Sequence, residues 1–173
     1  MKKYSSAVWL ILALFFANPV LAQIESEISE AAAAYARAHI REDYEALLNF
    51  TYPDLIEKAG SREDMRKTLM LIKENQKKNG ISLLSYKVKD QIVFTKVGQE
   101  IHAIVPTTTI SKAPGGRLTQ ESFLIAVRTE NNGNWYFIET TLLNERNLPK
   151  VIPTWDNSLM LPNKQAPVFK EDK

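Results

Sequence analysis

Apolar and aromatic side chains recur at helical spacing near the start of the chain. The residues on this face are Ile24, Ile28, Ala31, Ala32, Tyr35 and His39. Their spacing puts them on one side of a helix, with polar residues on the other side. The pattern therefore predicts a first helix over about residues 24–40.

Capping residues predict three further helices after the first. Asp43 can accept from a free backbone N–H at the start of a short helix. Pro53 fits the first turn of the next helix, and Gly60 can end it. Ser61 and Gly80 then bracket the longest periodic segment, so residues 61–80 are predicted to form one helix.

After Gly80 the pattern changes to alternation, which is typical of strands. The predicted strands cover residues 81–88, 91–96, 100–111, 118–129 and 135–143. Glycine and asparagine in segments 113–117 and 130–134 predict tight turns, which join antiparallel strands. Pro106 has no backbone N–H, so its strand should have an edge or a bulge there. Helices followed by an antiparallel meander predict an α+β fold.

Both faces of the predicted sheet are apolar. Residues 123–127 and 135–138 are apolar or aromatic at successive positions. A sheet with one face in water would alternate apolar and polar residues instead, so each face needs cover. The helices can cover one face. The other can be covered by a second copy of the chain or by the tail, residues 148–173, which mixes prolines with apolar residues. We expect residues 148–162 to pack on the body of the domain and residues 163–173 to fray.

The N-terminus has the pattern of a cleaved secretory signal. Lys2 and Lys3 precede an apolar run over residues 7–16, and Val20-Leu21-Ala22 supplies a cleavage-site pattern. The alternative is an uncleaved membrane anchor, but the apolar run is shorter than the roughly 20 residues that a span needs. We expect cleavage after Ala22, a periplasmic or secreted protein, no stable membrane span after cleavage, and one α+β domain over residues 23–147.

Charge and cysteine content exclude several classes of function. Cleavage would remove two of the 22 basic residues, which leaves 20 against 20 acidic residues and a formal net charge of zero. A balanced chain has no footprint for nucleic acid, which needs a clustered basic surface. The chain has no cysteine, so thiol chemistry and cysteine-based metal sites are excluded. The sequence has no cofactor motif, and we expect no cofactor.

The order of elements resembles the NTF2-like superfamily, also called SnoaL-like or ketosteroid-isomerase-like, over about residues 24–145. The resemblance rests on the Ala-rich first helix, Arg41-Glu42-Asp43-Tyr44, Tyr52-Pro53 before a helix, and Asn134-Trp135-Tyr136-Phe137-Ile138. It implies N-terminal helices packed on a strongly curved antiparallel sheet, forming a cone with a pocket inside. Relatives include isomerases, dehydratases, transport adaptors and exported domains of no known activity, so the resemblance implies no single function.

Three side chains are candidates for acid–base chemistry. Catalytic relatives commonly use an aspartate, or a histidine–aspartate pair, with a tyrosine, but no aspartate lies within the predicted strands here. His102 could act as a general base, or it could be an ordinary surface residue. Glu121 and Glu139 lie among apolar residues, where burial can raise a carboxyl pKa. Alternatively, each lies near a strand end and reaches water.

A second group of residues could line a ligand pocket, because aromatic rings with a polar tip suit amphipathic molecules. The candidates are Tyr35, His39, Tyr44, Tyr52, Tyr86, Trp135 and Phe137. The alternative is that they are ordinary core residues. The two histidines are 63 positions apart (102 − 39), which is no metal-ligand spacing, so we expect no metal site.

These observations favour a binding role over an enzymatic one. The first hypothesis is an exported protein that binds a small apolar or amphipathic ligand, or an envelope protein, without transforming it. The second is an isomerase or lyase with His102 or Glu139 as the base and a tyrosine as hydrogen-bond donor. The third is a structural or assembly role as a homodimer.

Overall fold

The structure, a computed structural model, describes residues 19–129, 133–140, 143 and 146–172. Four helices precede the sheet: α1 (Pro19–Arg41), α2 (Tyr44–Asn49), α3 (Pro53–Lys58) and α4 (Arg62–Lys78). The strands are β1 (Ser82–Val88), β2 (Val93–Val97), β3 (Glu100–Ala113), β4 (Gly116–Thr129), β5 (Trp135–Glu139) and β6 (Val168–Glu171). A short 3₁₀ turn covers Leu148–Lys150. Helices packed on an antiparallel sheet that does not close confirm the α+β class.

The predicted caps account for the helix boundaries. The Ala46 N–H donates to Asp43 Oδ1 at 3.0 Å and starts α2. The Asp64 N–H donates to Ser61 Oγ at 3.1 Å and starts α4. Gly80 follows α4 with a φ of 69°, a left-handed conformation that favours glycine. Local hydrogen bonds therefore set these ends, as the sequence predicts.

Helix α1 starts earlier than predicted. It begins at Pro19 rather than near residue 24, and it continues without a break across the predicted cleavage junction after Ala22. Residues 1–18, which hold most of the predicted signal, lie outside the described residues. Among the helices that the structure describes, none is long and apolar enough to cross a membrane.

The sheet is not the simple meander that was predicted. Strand β1 pairs with residues 107–112 of β3, and β2 pairs with residues 100–104 of the same strand, so β1 and β2 lie end to end. Pro106 lies opposite the break between them, where the Lys89 N–H donates to the Pro106 carbonyl at 2.9 Å. Pro106 has no backbone N–H to donate, and it lies where neither β1 nor β2 pairs with β3. The proline is therefore tolerated although β3 is a central strand.

Strand β4 carries two partners along its other edge. Strand β5 pairs with residues 124–128 and ends at Glu139, so the predicted strand over residues 135–143 is too long. Residues 130–132 of the predicted second turn lie outside the described residues. Strand β6 pairs with residues 116–119, so this part of the tail does not fray as expected.

Gly116 permits the close approach of β6. A Cβ atom at this position would lie 2.2 Å from the Lys170 carbonyl oxygen, which is a severe clash with backbone. We expect Gly116→Ala to detach β6 and to accelerate amide exchange at residues 168–171 by about tenfold or more. Hydrogen exchange read by mass spectrometry measures this, with Thr119→Ala on the same segment as control. Unchanged protection in Gly116→Ala would contradict the predicted detachment.

Each face of the sheet is buried under a different cover. On the first, here called the helix face, α1 and α2 pack over Ala103, Val105 and Phe137. On the second, the tail face, the buried residues are Ile104, Phe123, Ile125, Val127, Ile138, Leu148, Ile152 and Leu159. Three of these residues come from the tail and are at most 5 % exposed. The tail therefore contributes to a hydrophobic core rather than lying free.

Candidate functional site

An aromatic cluster lies between α1 and the helix face. The Tyr35 ring centroid is 4.5 Å from that of His39 and 5.1 Å from that of Phe137. The Tyr86 ring, from β1, lies 5.5 Å from His39 and 6.3 Å from Tyr35. Tyr35 and His39 are four positions apart in α1, so they share one side of the helix. The structure thus brings together four of the predicted ligand residues: Tyr35, His39, Tyr86 and Phe137.

Glu139 lies at the border of this cluster. The Tyr35 hydroxyl donates to Glu139 Oε1 at 3.4 Å, and His39 Nε2 lies 3.4 Å from the same oxygen. The carboxylate is at the last position of β5, on the face that carries Phe137, as the alternation predicts. Its side chain is 47 % exposed and that of His39 is 14 % exposed, so a ligand could reach Glu139 from solvent.

Burial shifts the protonation of these groups. It raises the pKa of Glu139, and this rise is opposed by the Tyr35 hydrogen bond and the charge of Lys73. Burial, helped by Lys73, lowers the pKa of His39 to about 4, so this imidazole is neutral at pH 7. Burial also raises the pKa of Tyr35 and of Tyr86, so both remain protonated donors. The cluster therefore holds one ionisable carboxyl among neutral partners.

A small cavity opens beside Glu139 on the helix face. It has a volume of about 90 Å³ and is lined mainly by polar side chains. The lining residues are Tyr86, Thr107, Thr109, Gln120, Ser122, Phe123, Leu124, Glu139 and Thr140. Tyr86 from β1 and Thr107 from β3 both line this cavity. We call this cavity, with Glu139 at its border, the helix-face cleft.

The other predicted ligand residues do not join the cleft. Tyr44 packs on the rim of the helix-face core, and Trp135 lies at the opposite end of β5 from Glu139. The Arg128 guanidinium stacks 5.2 Å from the Trp135 ring centroid and also pairs with Glu27. Tyr52 lies on the tail face, with its ring 6.2 Å from that of Tyr136. These three residues stabilise other parts of the fold.

His102 is buried on the tail face, away from Glu139. It is 0 % exposed, and its ring is stacked within 6° of parallel on Trp155, at a centroid distance of 5.4 Å. His102 Nε2 lies 2.9 Å from Glu100 Oε2, which also accepts from the Thr154 hydroxyl at 2.6 Å. Nδ1 has no hydrogen-bond partner among the described residues. The tail thus shields this histidine from any substrate.

Glu121 also lies on the tail face, close to solvent. Its carboxylate is 39 % exposed, pairs with Lys89 and accepts from the Thr108 hydroxyl at 3.0 Å. The Lys89 contact lowers the pKa of Glu121, so this carboxylate stays ionised. Glu121 and Glu139 therefore have opposite environments on opposite faces, and they form no catalytic pair.

The polar floor of the cleft is what the sequence analysis missed. Ile101, Ala103 and Val105 are apolar on the helix face of β3, but Thr107 and Thr109 continue the same alternation. In β4, Gln120 and Ser122 lie directly opposite these threonines. The sequence contained this information, because the turn at residues 113–117 sets the register that places these residues of β3 and β4 opposite one another. It marks where the helix face changes from core to polar surface.

Larger cavities lie beside residues 161–165, and one of them reaches the helix-face cleft, with which it shares Gln120, Ser122, Phe123 and Thr140. Two neighbouring cavities measure about 500 and 310 Å³ and share Phe123, Pro162, Asn163 and Lys164. The smaller of the two borders Glu121, which is already paired with Lys89, and neither is lined by a carboxyl or imidazole with a raised pKa. The helix-face cleft, although smaller, is the cavity with convergent polar groups and a perturbed carboxyl.

Neither a metal centre nor a known relative assigns a reaction to this chain. Among the described residues, no cluster of histidine, aspartate and glutamate could hold a metal ion. Comparisons of the chain with family models, with curated proteins and with solved structures gave no match. The residues of the cleft are therefore the basis for assigning a function.

Proposed function

We propose that this chain is an exported binding protein that holds a small amphipathic ligand in the helix-face cleft without transforming it. The observation that carries the proposal is Glu139, a partly exposed carboxyl beside a polar cavity and an aromatic wall. Polar groups converging on a concave site with apolar walls are typical of ligand pockets. The cavity admits a head group, and the rest of the ligand lies outside it.

The fold we propose is an NTF2-like cone. Helices over one face of a six-stranded antiparallel sheet support this assignment. Strong curvature of β3 and β4 around the cleft is part of the same proposal. The element order at residues 41–44, 52–53 and 134–138 remains its sequence basis.

Export is proposed from the N-terminal pattern alone. Lys2 and Lys3, the apolar run and Val20-Leu21-Ala22 support a signal that is cleaved after Ala22, with a periplasmic or secreted mature chain. Cleavage there would remove the first turn of α1, Pro19–Ala22, and leave the buried Ile28 in place. The core that α1 contributes would therefore survive processing.

Binding fits the cleft better than turnover because Tyr35 and His39, which contact Glu139, do not change protonation near pH 7. Because its pKa is raised, the Tyr35 hydroxyl keeps its proton at pH 7, whereas the His39 imidazole has already lost its second proton at that pH. Acid–base catalysis as an isomerase or lyase is the second candidate. Glu139 would be its base and Tyr35 the hydrogen-bond donor, and the raised pKa of Glu139 favours it.

Native mass spectrometry of the chain purified gently from exporting cells tests the proposal. We expect the mass of a chain that begins at Gln23, together with the added mass of a small molecule that is lost on denaturation. Glu139→Gln should lose the added mass, and Glu121→Gln, the same change on the tail face, should keep it. A chain without added mass, or added mass retained in Glu139→Gln, would contradict binding in the cleft.

One further incubation and the oligomeric state in the same spectra separate the alternatives. Incubation of the released molecule with the protein should leave it unchanged, and its isomerisation or loss of water would favour the second candidate. A dimer without any small molecule would instead favour a structural or assembly role. A bound protein would favour an envelope partner.

A further inference from the structure

We propose that the ligand presents a protonated primary amine to Glu139, held by the hydroxyl groups on the floor of the helix-face cleft. This inference rests on the proposed function, because it names the chemical class of the head group at the same site. It is carried by the charges, the hydrogen-bonding groups and the size of the cavity, which are taken in turn below.

The first observation is that, among the described residues, no side chain that is charged at pH 7 is in ion-pair contact with Glu139, and the charge of Lys73 acts on it without such a contact. Among the described residues, His39 is the only basic side chain in ion-pair contact with it. That imidazole is neutral at pH 7 because its pKa is about 4. An ammonium group would supply the missing positive charge and a charge-assisted hydrogen bond, whereas an anionic head group would be repelled.

The second observation is that the floor can accept hydrogen bonds in several directions. Thr107 and Thr109 from β3 face Gln120 and Ser122 from β4 across the hairpin. Hydroxyl and amide oxygens accept hydrogen bonds, and an ammonium has three N–H donors and no acceptor. One donor can go to the Glu139 carboxylate and the others to the floor. The donor-only character of the head group thus matches an acceptor-rich site.

The third observation is the size of the cavity and its aromatic wall. The cavity has a volume of about 90 Å³. That space suits a compact ammonium with its first carbon atoms. The Tyr86 ring lines the same cavity, and aromatic rings attract cations.

Protein-detected NMR with three small probes tests the inference. The mature chain is titrated with butylammonium, 1-butanol and butyrate at pH 7, which share a carbon chain and differ in head group. We expect butylammonium to shift the amide signals of Thr107, Thr109, Gln120 and Ser122. The other two probes should leave these signals unchanged at the same concentration.

Variants assign the binding to the carboxylate. Glu139→Gln should weaken butylammonium binding by about tenfold, while Glu121→Gln should leave it unchanged. Lys73→Gln should tighten it by about twofold, because a nearby positive charge that opposes the ligand is removed. Lys73 is at the surface of α4, so this variant keeps the test valid if Glu139→Gln does not fold.

Each outcome supports or overturns a distinct proposal. Selective shifts by butylammonium that depend on Glu139 support the amine. Equal or stronger shifts by 1-butanol or butyrate at the same amides overturn the amine and leave small-ligand binding in place. Shifts by butylammonium that persist in Glu139→Gln also overturn it. No shift with any probe overturns the amine, whereas the proposed function itself is overturned by native spectra that show no added mass or that keep the added mass in Glu139→Gln.

Discussion

Ile152→Ala is expected to lower the free energy of unfolding by about 3 kcal/mol, although this residue belongs to the tail. Ile152 is 0 % exposed and packs with Ile125, Val127 and Leu148 on the tail face. Shortening a fully buried isoleucine loses its transfer free energy and leaves a cavity, because the strands beneath cannot move to fill it. A tail that merely touched the sheet would give a much smaller effect.

Denaturant unfolding of the mature chain measures the effect. Met160→Ala is the matched control, because Met160 lies in the same tail but is 79 % exposed. It should change the free energy of unfolding by less than about 0.5 kcal/mol. Equal effects for the two variants would mean that the tail is not part of the folded core. A lowered slope with denaturant in Ile152→Ala alone would show that the tail unfolds separately.

The tail is held to the sheet by polar contacts as well as by burial. Trp155 stacks on the buried His102, and Thr154 donates to Glu100 beside it. The Lys58 ammonium donates to the Lys150 carbonyl at 2.9 Å, which ties α3 to the 3₁₀ turn. Together these contacts hold the tail over the apolar residues of the tail face.

Local chemistry made the helices predictable. Asp43 and Ser61 each accept a hydrogen bond from the backbone N–H three residues further on. Gly80 ends α4 because it adopts a positive φ. Such interactions are complete within one turn of helix, so the sequence alone contains them. The α+β class followed from the same reasoning, because strand alternation begins where the last helix ends.

Pairing across the sheet was less predictable. Strands β1 and β2 share β3 end to end, and β6 joins β4 from about fifty positions further along the chain. These contacts depend on the path of the chain in space, which no local pattern records. The predicted strand over residues 135–143 continued past Glu139 because alternation alone does not show where a partner strand ends.

The site was predicted in part for the same reason. Tyr35 and His39 come together because four positions in a helix bring side chains to one side. Tyr52 lies on the other face because residues 50–52 cross the edge of the sheet at β5. There the Phe137 N–H donates to the Phe50 carbonyl at 2.7 Å. Phe50 contacts Tyr35 on the helix face, whereas Tyr52 contacts Tyr136 on the tail face.

The charge state of His39 is expected to make the fold less stable in acid. Its pKa is about 4 in the folded protein against 6.5 for the ordinary side chain, so the unfolded chain binds a proton first as the pH falls. The stabilisation that neutral His39 contributes is therefore fully present above about pH 6.5. It is lost as the pH falls towards 4, and it does not change further below that pH. The loss is up to about 3 kcal/mol, from 2.5 pKa units (6.5 − 4) at 1.36 kcal/mol each.

The raised pKa of Glu139 has the opposite effect on how the free energy of unfolding depends on pH. Its raised pKa means that the folded protein takes up this proton before the unfolded chain does, so its contribution to stability increases as the pH falls. The comparison with a chain that lacks the imidazole therefore has to keep Glu139 unchanged, so that only the contribution of His39 is removed.

Comparison of the wild-type chain with His39→Gln isolates this effect. The glutamine has no titration, so the free energy of unfolding should fall less between pH 7 and pH 4 in the variant, by up to about 3 kcal/mol. Between pH 7 and pH 8 the two chains should show the same trend, which serves as the internal control. NMR titration of the His39 ring protons measures the pKa directly. A midpoint near 6.5 in the folded protein, with parallel stability curves, would mean that His39 is hydrated rather than enclosed by Tyr35 and Tyr86.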